Sequence, residues 1–244
     1  MDGYDRATYG DRIAGVYDSW FGLPTDADEA VAFLAELAGS GPVLELGVGT
    51  GRIALPLVER GLEVHGIDAS ERMVERLRGK PGGTRVAVTM GDFAEVAVDG
   101  EFSLVFVVFN TFFALLDQDA QVRCFEGVAA HLRPGGAFVV EAFVPDPARF
   151  SAGQRLGASE ISADAVHVEA ARLDWAEQRV RAQHVLVDEH GIRLYPVQLR
   201  YAWPSELDLM ARLAGLELAE RWTGWLREPF DATSQRHVSV YRHP

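Results

Sequence analysis

Val43-Leu44-Glu45-Leu46-Gly47-Val48-Gly49-Thr50-Gly51 reads as an apolar strand that ends in three alternating glycines, with a helical pattern starting at once in Arg52–Arg60. A backbone that turns so sharply from strand to helix, and approaches a ligand as it does, needs residues without a Cβ. Around this stretch, Pro42–Leu46, Glu63–Ile67, Arg85–Thr89, Leu104–Phe109 and Ala137–Val144 read as short apolar strands. Between them, Arg52–Arg60, Glu71–Arg78 and Asp119–Leu132 carry apolar residues at helical spacing. Ser70 stands where a helix N-cap belongs, Gly61 and Gly79 follow helix ends, and Arg133-Pro134-Gly135-Gly136 reads as a turn. Strands alternating with helices predict an α/β fold, Rossmann-like and doubly wound, with a mostly parallel sheet covered on both faces.

The flanks extend this plan. Asp28–Leu37 reads as an amphipathic helix capped by Thr25 or Asp26 and stopped at Gly39. After Val144 the period changes to two: Asp164–Asp174, Arg179–Val187 and Ile192–Trp203 alternate and are joined by Trp175–Gln178 and Asp188–Gly191. That pattern predicts an antiparallel three-strand meander inserted after the fifth strand. Ser205 then caps a helix ending at Gly215, and Leu216–Thr223 and His237–Arg242 complete a seven-stranded sheet. The expected division is an N-terminal helical segment (1–38), a core (39–150 and 204–244) and a β cap (151–203).

Composition narrows the function. With 36 acidic against 23 basic residues, the net charge of −13 disfavours nucleic acid and anionic membrane as partners. Cys124 is the single cysteine, and no histidine or carboxylate spacing resembles a metal site. No apolar run is long enough to span a bilayer, and the first residues lack the apolar core of a signal peptide. A cytoplasmic location is therefore expected. Alternating edge strands in the insertion are compatible with a homodimer.

The ligand follows from the glycine spacing. G-x-G-x-G departs from the dinucleotide pattern G-x-G-x-x-G, and Glu45 before the first glycine would repel a pyrophosphate. The same carboxylate suits the ammonium of a methionine moiety, so the spacing favours S-adenosylmethionine over NAD. A nicotinamide reductase is further disfavoured because Lys80, the only lysine, has no tyrosine near it. Asp68 ends the second strand nineteen residues after Gly49, where an acid grips ribose hydroxyls. Asp92, in Gly91-Asp92-Phe93, closes the third strand, placed to accept from an adenine amine while Phe93 packs on the ring. Either acid alone is also an ordinary cap or turn residue. In order along the strand ends, the two trace a ribose and then a base.

These motifs resemble the class I S-adenosylmethionine-dependent methyltransferase family. Glu45–Gly51 is similar to its first motif, Gly66-Ile67-Asp68-Ala69-Ser70 to its second and Gly91-Asp92-Phe93 to its third. His131-Leu132-Arg133-Pro134-Gly135-Gly136 is similar to the turn before its fifth strand. The resemblance implies cofactor contacts from the backbone of Gly47, Gly49 and Gly51, from Asp68 and Met73, and from the main chain at Asn110. Tyr17-Asp18-Ser19-Trp20 resembles an aromatic N-terminal segment that closes over the cofactor, so Tyr17 and Trp20 either cover it or pack against the core. The β insertion, and Glu141 within Val139-Val140-Glu141-Ala142, resemble the amino-sugar N-methyltransferases of antibiotic pathways. Ala142-Phe143-Val144 departs from the Pro-aromatic pair of that branch.

Methyl transfer from a sulfonium is an in-line displacement that needs alignment, exclusion of water and, for an oxygen or ammonium acceptor, a base. Pairing Val187 with Ile192 and Asp174 with Arg179 aligns Glu169, His184 and Tyr195 as one polar row across the apolar face of the meander. A carboxylate beside an imidazole raises its pKa and sets its tautomer. Glu169–His184–Tyr195 is thus either the base system or a satisfied polar pair that packs the insertion. The expected activity is methylation of N or O on a small natural-product acceptor. Other uses of the cofactor, by a pericyclase or decarboxylase, and a non-catalytic binding module, stay open at this stage.

Overall fold

The structure is a computed structural model that describes residues 3–21 and 26–244, so the Thr25 cap lies outside the described residues. Three helices lead the chain: α1 (Thr8–Ile13), α2 (Tyr17–Phe21) and α3 (Ala27–Ala38). Strand β1 (Val43–Leu46) follows, then α4 (Ala54–Glu59), β2 (Val64–Asp68), α5 (Glu71–Arg78), β3 (Ala87–Met90), β4 (Phe102–Val107), α6 (Gln118–His131) and β5 (Leu132–Phe143). An inserted sheet comprises β6 (Gln154–Ile161), β7 (Ala165–Asp174), β8 (Arg179–Asp188) and β9 (Gly191–Arg200). Helix α7 (Pro204–Leu213), β10 (Glu217–Trp222) and β11 (Arg236–Arg242) close the chain.

The main sheet has seven strands in the order β10-β11-β5-β4-β1-β2-β3. It is parallel except for β11, which runs antiparallel to both β5 and β10. All four residues of β1 are buried, as a central strand covered on both faces requires. Along β4, Val105 and Val107 pack beneath α6 and α7 with Phe125 and Phe138, while Leu104 and Phe106 join Leu34 and Leu57 on the other face. Period two thus feeds two cores from one strand. Helix starts follow local chemistry: Ser70 accepts from the Met73 N–H at 3.2 Å, and Asp117 from the Ala120 N–H at 2.7 Å.

Three expectations need correction. Trp203 is the N-cap of α7, and Pro204 occupies its first turn, where a fixed φ and a missing N–H cost nothing, so Ser205 lies inside the helix. Arg133–Gly136 is the irregular opening of β5, with a register shift against β4 between Phe102 and Leu104. The insertion has four strands. Gln154–Ile161 shows no clean alternation because a bulge at Ala158/Glu160 breaks its period, which hides it from a periodicity reading.

The meander register matches the expectation: Val187 faces Ile192, His184 faces Tyr195, Asp174 faces Arg179 and Glu169 faces His184. The outer face of the cap is polar only toward its base. Farther out, Ile161–Val166–Val187–Ile192 forms one row across all four strands and Ala158–Val168–Val185–Leu194 the next. Ile161 is 74% exposed and Ile192 69%. No helix of the described residues is long and apolar enough to cross a membrane.

Candidate functional site

The turn after β1 is built from left-handed glycines: φ is +73° at Gly47, +54° at Gly49 and +82° at Gly51. A Cβ on Gly47 would stand 2.4 Å from Thr111 Cγ2, and one on Gly51 2.3 Å from Leu77 Cδ1. A Cβ on Gly49 would meet only the Gly47 carbonyl oxygen, at 3.9 Å, so there the positive φ is what selects glycine. The turn faces a cavity of about 300 Å³ lined by Gly47, Gly49, Asp68, Met73, Asp92, Phe93 and Thr111, and by Tyr4, Tyr9 and Tyr17 from the N-terminal segment. That segment is tied down at the motifs themselves. Asp18 accepts from Thr50 Oγ1 at 2.6 Å and Lys80 Nζ at 2.9 Å, Asp11 accepts from Ser70 Oγ at 2.6 Å, and Arg6 pairs with Asp92 at 3.3 Å.

Asp68 accepts the Gly49 N–H at 2.7 Å on one oxygen and the Ser70 N–H at 2.8 Å on the other, so it organises the glycine turn. Burial raises its pKa, and those amide hydrogen bonds oppose the shift. With the Ala69 N–H also bonded to it, the carboxylate keeps one lone pair for a ligand hydroxyl. Asp92 accepts the Ala94 N–H at 3.0 Å. Glu45 lies beneath the turn, 4% exposed, with Oε2 buried and without a partner. Burial pushes its carboxyl well up, opposed by the Ala54 N–H and reinforced by Asp68. A buried carboxylate of this kind calls for a cation, and an ammonium fits. Open glycine backbone, an orphaned acid and Asp68 together match the donor set that the methionine end and ribose of S-adenosylmethionine require. Burial also raises the Tyr9 and Tyr17 phenols, Tyr17 to about 12, so both stay protonated at neutral pH.

Four expected site residues stand elsewhere. Trp20 does not line this cavity: its indole stacks on His167 (centroids 4.3 Å) and meets Tyr195 edge-on (4.8 Å), burying its apolar rings against the cap. Tyr195 is covered by Ile13, Ala14 and Met73 in the same cluster, so it lines neither cavity. Glu141 accepts the Phe109 N–H at 2.6 Å and is a brace. Asn110 receives the Phe143 N–H on its side chain at 2.6 Å. Phe109 and Asn110 both have positive φ (55° and 62°), a strained pair that these hydrogen bonds hold in place.

A second cavity of about 360 Å³ lies between the core and the cap. Asn110, Phe143, Asp146 and Phe150 form its floor, and Glu169, Val180, Ala182, His184, Val197 and Leu199 its roof, with Arg155 beside them. His184 and Glu169 thus share one chamber, as the register implied. Their electrostatics differ from the expectation. Glu169 pairs with Arg155 at 2.7 Å. Burial lowers the His184 pKa, Glu169 opposes this, and His167 and Arg155 add to it, so the net shift is downward. A broad depression outside the cap, lined by Arg172, Trp175 and Arg179, lies away from the glycine turn.

Sequence reading missed Tyr4, Tyr9 and Arg155, and set Thr111 at the acceptor pocket, whereas it lines the cavity at the glycines. The Tyr4, Tyr9 and Tyr17 series is visible in the chain, but only docking turns it toward the glycines. Arg155 sits on β6, whose broken period gave no signal.

A family model described as a methyltransferase domain matches residues 43–136. Over 204 residues the chain is 31% identical to the cypemycin N-terminal methyltransferase of a Streptomyces species, spanning 81% of each protein. The structure of the CcbJ methyltransferase from Streptomyces caelestis matches with a TM-score of 0.93 at 47% identity, covering 98% of this chain and 99% of that one. CalS10, an amino pentose methyltransferase from Micromonospora echinaspora with S-adenosylmethionine bound, shares the fold with a TM-score of 0.67 at 22% identity, over 88% of this chain and 89% of that one.

Proposed function

This chain belongs to the class I S-adenosylmethionine-dependent methyltransferases, and from that membership we propose that it methylates an amine nitrogen of a small-molecule acceptor in natural-product biosynthesis. The carrying observation is that adjacent residues of one turn line the two cavities: Thr111 lines the cavity at the glycines and Asn110 the one beneath the cap. An acceptor in the second chamber then reaches the methyl group past that turn, away from bulk water. Nitrogen is favoured by the relative at 31% identity, an N-terminal methyltransferase by name.

Bound S-adenosylmethionine supplies a methyl group on a positively charged sulfur. Asp68 would hold the ribose hydroxyls, Asp92 the adenine amine, Met73 and Phe93 the faces of the base, and Glu45 the ammonium. The glycine backbone allows the close approach. On the acceptor side, burial keeps His184 neutral at pH 7, and a neutral imidazole takes the proton that an ammonium must lose before its nitrogen has a lone pair. The free amine would then be the nucleophile for the methyl group that the bound cofactor supplies. Calorimetric titration is expected to show micromolar binding of S-adenosylmethionine and S-adenosylhomocysteine and none of NAD. Mass spectrometry of primary and secondary amines beside phenols and sugars is expected to find methylation on nitrogen. Methylation confined to hydroxyls would overturn the acceptor, and binding without transfer to anything would favour a non-methylating role.

The same reading includes a homodimer through the apolar rows on the outer face of the cap, since a soluble protein seldom leaves so large an apolar surface bare. Light scattering is expected to give twice the chain mass, and Leu194→Glu to give monomers that still bind S-adenosylhomocysteine. A monomeric parent protein refutes it.

A further inference from the structure

His184 is not isolated behind the acceptor chamber. Its ring lies 5.3 Å, centre to centre, from that of His167, one row outward on β7. Each imidazole buries one nitrogen that has no partner: Nδ1 of His184 and Nε2 of His167. His184 itself lines the chamber, and His167 is half-buried, toward the surface of the cap. An N–H···N bond of about 3 Å, with each nitrogen about 1.1 Å from its ring centre, sets the ring centres about 5.2 Å apart. The observed spacing is therefore that of two imidazoles able to satisfy each other through a small ring rotation. Buried polar atoms without partners are rare, and here two belong to neighbouring rings.

We propose that His167 and His184 form a proton relay that carries the acceptor's proton from the chamber to solvent, with His167 as a positioning and relay residue. The proposal rests on His184 acting as the base. In the resting state both rings carry hydrogen on Nδ1. The acceptor ammonium gives its proton to His184 Nε2, the Nδ1 hydrogen of His184 passes to His167 Nε2, and the Nδ1 hydrogen of His167 leaves to water. One proton enters and one leaves, and both rings end with hydrogen on Nε2. Trp20, stacked on His167, stabilises positive charge at the outer end of the relay. The charged and titratable groups around the pair are Glu169 on β7, Arg155 and Glu160 on β6, Tyr195 on β9, and Tyr9 and Tyr17 on α1 and α2. Glu169 is held by Arg155, which leaves His167 as the ring partner of His184.

The test is long-range ¹H–¹⁵N spectroscopy of the full chain, labelled at histidine, with S-adenosylhomocysteine bound. The expected result is His184 as the Nδ1–H tautomer, scalar-coupled across a hydrogen bond to His167 Nε2. In His167→Gln the coupling vanishes while S-adenosylhomocysteine affinity stays within about twofold. Hydrogen on Nε2 of His184, or no coupling between the two rings, overturns the relay. The spectrum of the parent protein decides this even if the variant folds poorly. It uses no acceptor, so a relay that fails here is distinguishable from an amine reading that fails in the acceptor screen.

Discussion

Replacing Asp68 with alanine is expected to weaken S-adenosylhomocysteine binding by two orders of magnitude or more, the largest effect of any single cofactor-site change. Its two oxygens hold the Gly49 and Ser70 amides at 2.7 and 2.8 Å. Hydrogen bonds to a charged group contribute about 1.5–3 kcal/mol each, and donors left unpaired in a buried site cost a similar amount. The substitution loses both bonds, releases the Gly49 backbone from its left-handed setting, and removes the acceptor for the ribose. Calorimetric titration measures the change, and circular dichroism checks the fold. An unchanged Kd would mean that the turn is held by the sheet alone.

His184→Gln is expected to lower kcat about a hundredfold at neutral pH, the low end of what a positioned base contributes, with cofactor affinity unchanged. The pH dependence carries the sign. Burial lowers the His184 pKa, so the imidazole stays unprotonated and competent at neutral pH, and the parent's kcat falls only at a pH below the ordinary histidine range. The deficit of the variant narrows as pH rises, because free amine then forms without help. Parent-like turnover in His184→Gln would make Glu169, Arg155 and His184 a packing group for the cap.

Much of this was legible in the chain. The glycine turn, Asp68 and Asp92 follow from steric rules that act within a few residues, and the chain-order logic of parallel strands set them along one sheet edge. The cap register was legible too, since a one-residue slip would turn Val180, Ala182, Val197 and Leu199 to the wrong face. Those positions brought His184 beside Glu169 without any coordinates. The bulged β6 was not legible, and with it went Arg155; the direction of the His184 shift was not legible because burial, its largest cause, is set by how the cap docks.

The sequence by itself determined the doubly wound core, the cofactor loop and the pairing of the cap strands, because each rests on period, glycine conformation or strand register, all local properties. Only the tertiary structure decided where the N-terminal segment lies. It sent Trp20 to His167 and Tyr9 to the glycine turn, made Glu141 a brace for Phe109, and gave Glu169 to Arg155. Except for the pairing of Arg155 with Glu169, those contacts join residues more than thirty positions apart. They depend on which surfaces dock and how deeply each charge is buried, and no local pattern encodes either.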